Sequence, residues 1–219
     1  MNPQGIIIEG ITGAGKSQTI FALTNDAEFH NGWTPYDIYP EEETFGEFML
    51  ELLTQPETPP SEKFRLLARV IRAVTTRATE AKSYRFIMER AHHSYYSLLP
   101  NWDLYRDFDR EIAALDPHVY LLWLPEELLK VRSLHRVDRP TYAEGFVEIY
   151  GSETKALDAM KASQEARLEA LRLSALPHTI IDTSNMEWDM HASKIASALR
   201  RSTEAADKHV QMRTTEAGR

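Results

Sequence analysis

The stretch "IIIEGITGAGKSQT", residues 6–19, decides the fold of this chain. Three isoleucines run into a loop of three glycines closed by one lysine and one serine. A short apolar run bounded by glycine reads as a buried parallel strand. The loop matches G-x-x-x-x-G-K-[ST] at Gly10, Gly15, Lys16 and Ser17. Glycines let successive backbone N–H groups turn inward around phosphate oxygens, where a side chain would clash. A helix starting near Lys16 points the positive end of its dipole at the same anion. Lys16 is placed to reach the outer phosphates and the Ser17 hydroxyl to ligate Mg²⁺. The sequence therefore predicts a bound nucleoside triphosphate, with Gly10, Gly13, Ala14, Gly15, Lys16, Ser17 and Gln18 around it.

Composition narrows the setting. The 219 residues are 42% hydrophobic, a length and balance that suit one globular domain. We expect a single domain over residues 1–202 and a flexible polar tail over 203–219. There are no cysteines, which removes disulfides, thiolate metal sites and cysteine nucleophiles. No apolar run approaches the ~20 residues of a membrane span, and the first residues lack a signal-peptide pattern, so a cytoplasmic protein is expected. The formal charge of −8 repels nucleic acid and anionic lipid, so any bound anion must be gathered by local positive charge.

Downstream, apolar runs at roughly 34–39, 85–89, 118–124 and 178–182 join 6–9 as predicted buried strands. Helical periodicity lies between them at about 16–25, 45–53, 61–82, 104–115 and 126–135. Two further helices are predicted at 153–173 and 188–200, and Ser61 is a candidate N-cap for the one at 61–82. This alternation predicts an α/β fold, a doubly wound five-stranded parallel sheet flanked by helices.

Ligands in such sheets lie beyond the carboxyl ends of the strands. After the second strand, "DIYPEEETF" (37–45) supplies Glu41, Glu42 and Glu43, any of which is placed to take a proton from an attacking hydroxyl. The third strand ends in Glu89-Arg90, an acid suited to Mg²⁺ or its water shell and a cation suited to phosphate or acceptor. His92 and His93 follow at a helix start; adjacent helical residues diverge, which argues against a shared metal. After the fourth strand, "LPEELLKVRSLHRVDRPTYAE" carries Arg132, Arg136 and Arg139, a set able to clamp a phosphoryl group in transfer.

In this order the segments resemble the thymidylate kinase and deoxynucleoside kinase superfamily of P-loop kinases. "MERA" (88–91) resembles its Asp/Glu-Arg-Ser/Tyr motif, and "DPHVYLLWLPEELLKVRSLHRVDRP" its fourth strand and arginine-rich lid. "HTIIDTS" (178–184) is similar to its last strand, whose following loop contacts the adenine. The resemblance implies ATP as donor, Mg²⁺ held at Ser17 and Glu89, and catalytic roles for Lys16, Glu41, Glu89, Arg90, Arg132 and Arg136, with Arg139 on the nucleotide. Departures are visible too: Ala91 replaces Ser or Tyr, and the lid has one extra residue between Arg136 and Arg139. "YPEEETF" looks more like the Pro-Glu-Pro segment of nucleoside kinases, whose glutamate deprotonates a sugar hydroxyl, than the Arg-Glu-Pro segment of thymidylate kinases. The match falls on Glu41.

A hydroxyl acceptor needs a base, whereas a phosphate acceptor needs cations. The glutamates favour the hydroxyl; Arg65, Arg69 and Arg72 on one predicted helix favour the phosphate. The expected acceptor is a nucleoside or a nucleoside-like natural product or antibiotic, with Trp33, Tyr36, Tyr39, Tyr95 and Trp102 as candidate stacking residues that core packing would equally explain. The alternatives are a nucleoside-monophosphate kinase and, from another class, a regulatory nucleotide-hydrolysing protein acting through a partner. No nucleic acid or membrane partner is expected; a homodimer is a possible assembly.

Overall fold

A computed structural model describes residues 5–33, 35–55, 57–59, 62, 64–81 and 84–200, backbone only at 31–33, 52, 53 and 66. The strands are β1 (Gly5–Glu9), β2 (Asp37–Tyr39), β3 (Phe86–Glu89), β4 (Pro117–Trp123) and β5 (His178–Asp182). All pair in parallel in the order β2-β3-β1-β4-β5, which puts the loop strand β1 at the centre. The helices are α1 (Lys16–Asn25), α2 (Ala27–Trp33), α3 (Glu47–Thr54), α4 (Arg65–Glu80), α5 (His92–Tyr96) and α6 (Arg106–Ala113). They continue with α7 (Glu126–Leu129), α8 (Tyr142–Tyr150), α9 (Glu153–Leu173) and α10 (188–200). Ser61 and the tail at 203–219 lie outside the described residues.

The alternation of side chains along β1 splits the core in two. Ile6 and Ile8 face a layer made with α1, α2 and α10, through Ile20, Leu23, Phe29, Ile195 and Leu199. Ile7 faces the opposite layer with α4, α6 and α9, through Leu67, Val70, Ile71, Val74, Ile112 and Leu171. The α4 pattern shows why it folds as it does: apolar residues recur at 67, 70, 71 and 74, while Arg65, Arg69 and Arg72 take the outer face. Those arginines stay with solvent; Arg65 pairs with Glu51 at 3.0 Å and Arg69 with Glu47 at 2.5 Å.

Strand burial and the helix set need correction. Strands β2 and β5, expected to be buried, are the two edges of the sheet, with Tyr39 and Ile181 as the one buried residue of each. The apolar runs there reflect strand propensity and one covered face. Helices α2 and α8 are additions to the expected set; α8 follows Pro140 and contains Gly145, both poor helix signals, and it is ended by Gly151 in the left-handed region at φ 82°.

Candidate active site

Strand β1 delivers the glycine loop to the top of the sheet. Gly13 and Gly15 take φ 82° and 94°, and neither tolerates a Cβ. One at Gly13 would stand 2.1 Å from the Arg132 carbonyl oxygen, and one at Gly15 2.2 Å from the Trp188 indole. The loop is tied down from outside: Ser133 Oγ donates to Thr12 O at 2.6 Å, Arg132 Nη2 to Gly13 O at 3.1 Å, and Tyr142 Oη to Thr12 Oγ1 at 3.1 Å. Above it opens a cavity of about 730 Å³, within the ~300–1,000 Å³ of small-molecule sites.

Lys16, 6% exposed, extends into a cluster of opposite charges. Its Nζ lies 3.3 Å from Glu41 Oε2 and 3.9 Å from Glu89 Oε1. Burial, and then the nearby Arg90, lower its pKa to about 8 against the pull of the two carboxylates. Burial works against the charge on Glu41, but Lys16 and Arg90 outweigh it and hold its carboxyl below the usual range. Glu89 moves the other way, pushed up by burial and by the Glu41 charge beside it, against the opposing pull of Lys16. Ser17 Oγ donates to Glu89 Oε1 at 3.1 Å. The Ser17 hydroxyl and the Glu89 carboxylate are hard oxygen donors of the kind Mg²⁺ takes.

Glu41 is held in place by the π-helical turn Glu42–Gly46 that follows it. Buried Thr44 in that turn donates through Oγ1 to the Glu89 carbonyl, and its own carbonyl accepts from Tyr95 Oη. The second strand's exit is thereby fastened to the third's. Arg90, 3% exposed, has Nε 3.0 Å from Glu41 Oε1 and its guanidinium 4.6 Å from the Phe45 ring centre.

The structure brings together most of the residues expected from sequence. Gly13, Gly15, Lys16, Ser17, Gln18, Glu41, Glu89, Arg132, Arg136 and Arg139 all line the cavity. Gly10 and Ala14 shape the loop from below, where a Cβ on Gly10 would meet Leu122 O at 2.9 Å. Arg90 backs Glu41 without lining the space, and Glu42 lines it whereas Glu43 does not. Arg136 is paired through Nε and Nη2 with Asp138, at 3.0 and 2.5 Å. Among the aromatic candidates, Tyr39 and Tyr95 are core and Tyr36 packs on Phe29; Trp102 lies against the two histidines, and the Trp33 side chain lies outside the described residues.

His92 and His93 do not diverge as expected: their ring centres are 4.1 Å apart with planes at 34°, both fully buried. They lie with Asp109 inside a 4.8 Å group of ligand-type atoms. Asp109 already accepts from Ser174 Oγ and Ala175 N and lies 3.0 Å from His92 Nε2. The group reads as a structural tie between α5, α6 and the end of α9. Sequence reading missed Trp188, whose indole carries the Arg132 guanidinium 5.3 Å from its ring centre. It also missed Thr183, whose carbonyl accepts from Arg132 Nη1.

The architecture has solved counterparts. Thymidylate kinase from Candida albicans superposes with a TM-score of 0.54 at 14% identity, covering 92% of this chain and 93% of the other. The YorR protein of Bacillus subtilis, solved with phosphorylated GDP, superposes with a TM-score of 0.56 at 15% identity, over 90% and 95%. The chain has the P-loop kinase fold. No protein-family model and no curated protein matches the sequence. Among the described residues no helix is long and apolar enough to cross a membrane.

Proposed function

We propose that this chain is a kinase that uses Mg²⁺ and ATP to phosphorylate a hydroxyl group of a small molecule. One observation carries the reading: Glu41 lines the cavity of the glycine loop and is held between Lys16 and Arg90. A carboxylate at that point suits the proton of an attacking hydroxyl. The arginines that would have argued for a phosphate acceptor, Arg65, Arg69 and Arg72, lie outside the cavity, the first two paired with Glu51 and Glu47.

The roles follow from the contacts. The backbone N–H groups around Gly13 and Gly15 cradle the donor's phosphates, and Lys16 neutralises them. Phosphate oxygens compete with Glu41 for the Lys16 ammonium. When they win, the Glu41 carboxylate loses its first partner, its basicity rises, and it is free to receive the acceptor's proton. Ser17 and Glu89 would hold Mg²⁺, which supplies charge neutralisation at the phosphates. Arg136 and Arg139 act as a lid over the transferred group, Arg136 exchanging Asp138 for phosphate, while Arg132 braces the loop through Gly13 O and Thr183 O. Trp188, stacked on Arg132, walls the donor end.

A screen of nucleosides, nucleoside monophosphates and nucleoside- or aminoglycoside-type antibiotics with γ-labelled ATP tests the reading. The expected result is transfer to an acceptor with a free hydroxyl, nucleosides being assayed first. Acceptance of monophosphates alone would overturn it. Glu41→Gln should then lower kcat by at least ~10²-fold while nucleotide binding persists.

A further inference from the structure

Two polar residues interrupt the buried stripe of α9, and each is fastened to the end of a central strand. The Gln164 amide accepts from Leu124 N at 3.0 Å and donates to Leu124 O at 2.8 Å, just beyond β4. One turn on, Arg167 is 2% exposed, with Nε 3.8 Å from Glu9 Oε2 and 3.3 Å from Ser94 Oγ, while Nη1 donates to the Ser163 carbonyl at 2.7 Å. Glu9, the last residue of β1, is fully buried; its Oε1 accepts from Ala91 N at 2.7 Å and its Oε2 from Ser94 Oγ at 2.6 Å. His93 Nδ1 lies 3.6 Å from the same carboxylate.

None of Glu9, Ser94 and Arg167 lines the cavity, so phosphate binding does not account for them. A buried ion pair is also a poor source of stability compared with apolar side chains of the same volume. What the pair does hold is the turn at Arg90. That residue takes φ 62°, a left-handed conformation that residues with a Cβ avoid. The turn is gripped on both sides by β1, since Arg90 N donates to Ile8 O at 2.9 Å and Ala91 N to the Glu9 carboxylate. So held, the Arg90 side chain returns across the strand ends to Glu41.

We propose that Glu9, Ser94 and Arg167 are a positioning network that locks the left-handed turn at Arg90 and through it fixes Glu41 for phosphoryl transfer. The inference rests on the kinase reading for the role of Glu41. The side chain that completes the network comes from α9, a helix that contributes nothing to the cavity wall.

Two double substitutions separate positioning from mere packing. Glu9→Met with Arg167→Met replaces the pair by apolar side chains and removes the acceptor for Ala91 N. Glu9→Gln with Arg167→Met removes both charges but keeps a carbonyl oxygen for Ala91 N. Each is assayed for transfer from γ-labelled ATP to thymidine, or to whichever compound of the panel the wild type accepts fastest. Binding of a fluorescent N-methylanthraniloyl ATP is followed in parallel. The Met/Met chain should bind that nucleotide within about twofold of wild type and lose at least ~10-fold in kcat with little change in KM for ATP. The Gln/Met chain should recover to within about threefold. Ser94→Ala, which creates no buried charge and little cavity, should lower kcat by about 3- to 10-fold and keeps the test open if the Met/Met chain does not fold. Wild-type kcat in folded Met/Met or Ser94→Ala, or a Gln/Met chain no faster than Met/Met, would overturn the network. A wild-type chain that binds nucleotide but phosphorylates nothing would instead remove the kinase reading, and the inference with it.

Discussion

Lys16 shows how closely binding and protonation are joined in this site. Its pKa of about 8 in the free protein reflects burial and the neighbouring Arg90. Donor phosphates would add negative charge beside it and raise that value. Nucleotide binding should therefore take up a proton above about pH 8, and affinity should fall as pH rises through that value. Calorimetry in buffers of different ionisation enthalpy measures this directly; binding without proton uptake at about pH 8.5 would contradict it. Lys16, Ser17 and the loop glycines were legible in the sequence because their geometry is set by residues adjacent in the chain. Glu41, Glu89 and Arg90 were legible because strand ends converge in a parallel sheet. Trp188 and Arg167 were not, since each reaches the strand ends from a helix distant in sequence, and no local pattern encodes that approach.

At the scale of elements, the sequence carries the strands better than the connections between them. All five strands were visible as apolar runs, and α1 and α9 were expected over the residues they occupy. The π-helical turns at Glu42–Gly46 and Lys130–Leu134 were not, because a one-residue widening of a helix leaves no periodicity to read. Both lie beside the cavity, where they re-aim Glu41 and Arg132. Between α8 and α9, Gly151 stands at φ 82° with nothing within 4 Å of a Cβ built on it. Gly151→Ala should therefore cost only the left-handed backbone penalty, about 1 kcal/mol, with kcat unchanged. Urea unfolding followed by circular dichroism would show it as a lower midpoint at constant slope.

For the molecule as a whole, acid should loosen the fold in two stages. Burial, reinforced by His93, brings the His92 pKa down to about 4, whereas the ring in the unfolded chain protonates near 6.5. Between these values the unfolded state binds more protons, so stability falls as pH falls from about 6.5 to 4. Glu9 acts below that. Burial alone would raise its pKa, but His93, Arg167 and Ser94 bring it to about 2, so its contribution holds above pH 4.5 and is lost toward 2. Asp109, brought to about 2 against burial by His92, Ser174 and Ala175, is lost over the same range from 3.8 downward. Melting temperatures should drop from about pH 7 to 4 and more steeply beneath; a flat profile between pH 7 and 4 would contradict the buried neutral histidine. The placement of Trp188 has an optical consequence as well. Of the four tryptophans it is the one whose described side chain borders the cavity, pressed on Gly15 and stacked on a guanidinium. A nucleotide entering beside it changes the polarity around the indole, so the protein carries its own fluorescent reporter of donor occupancy, silent in Trp188→Phe and independent of any acceptor.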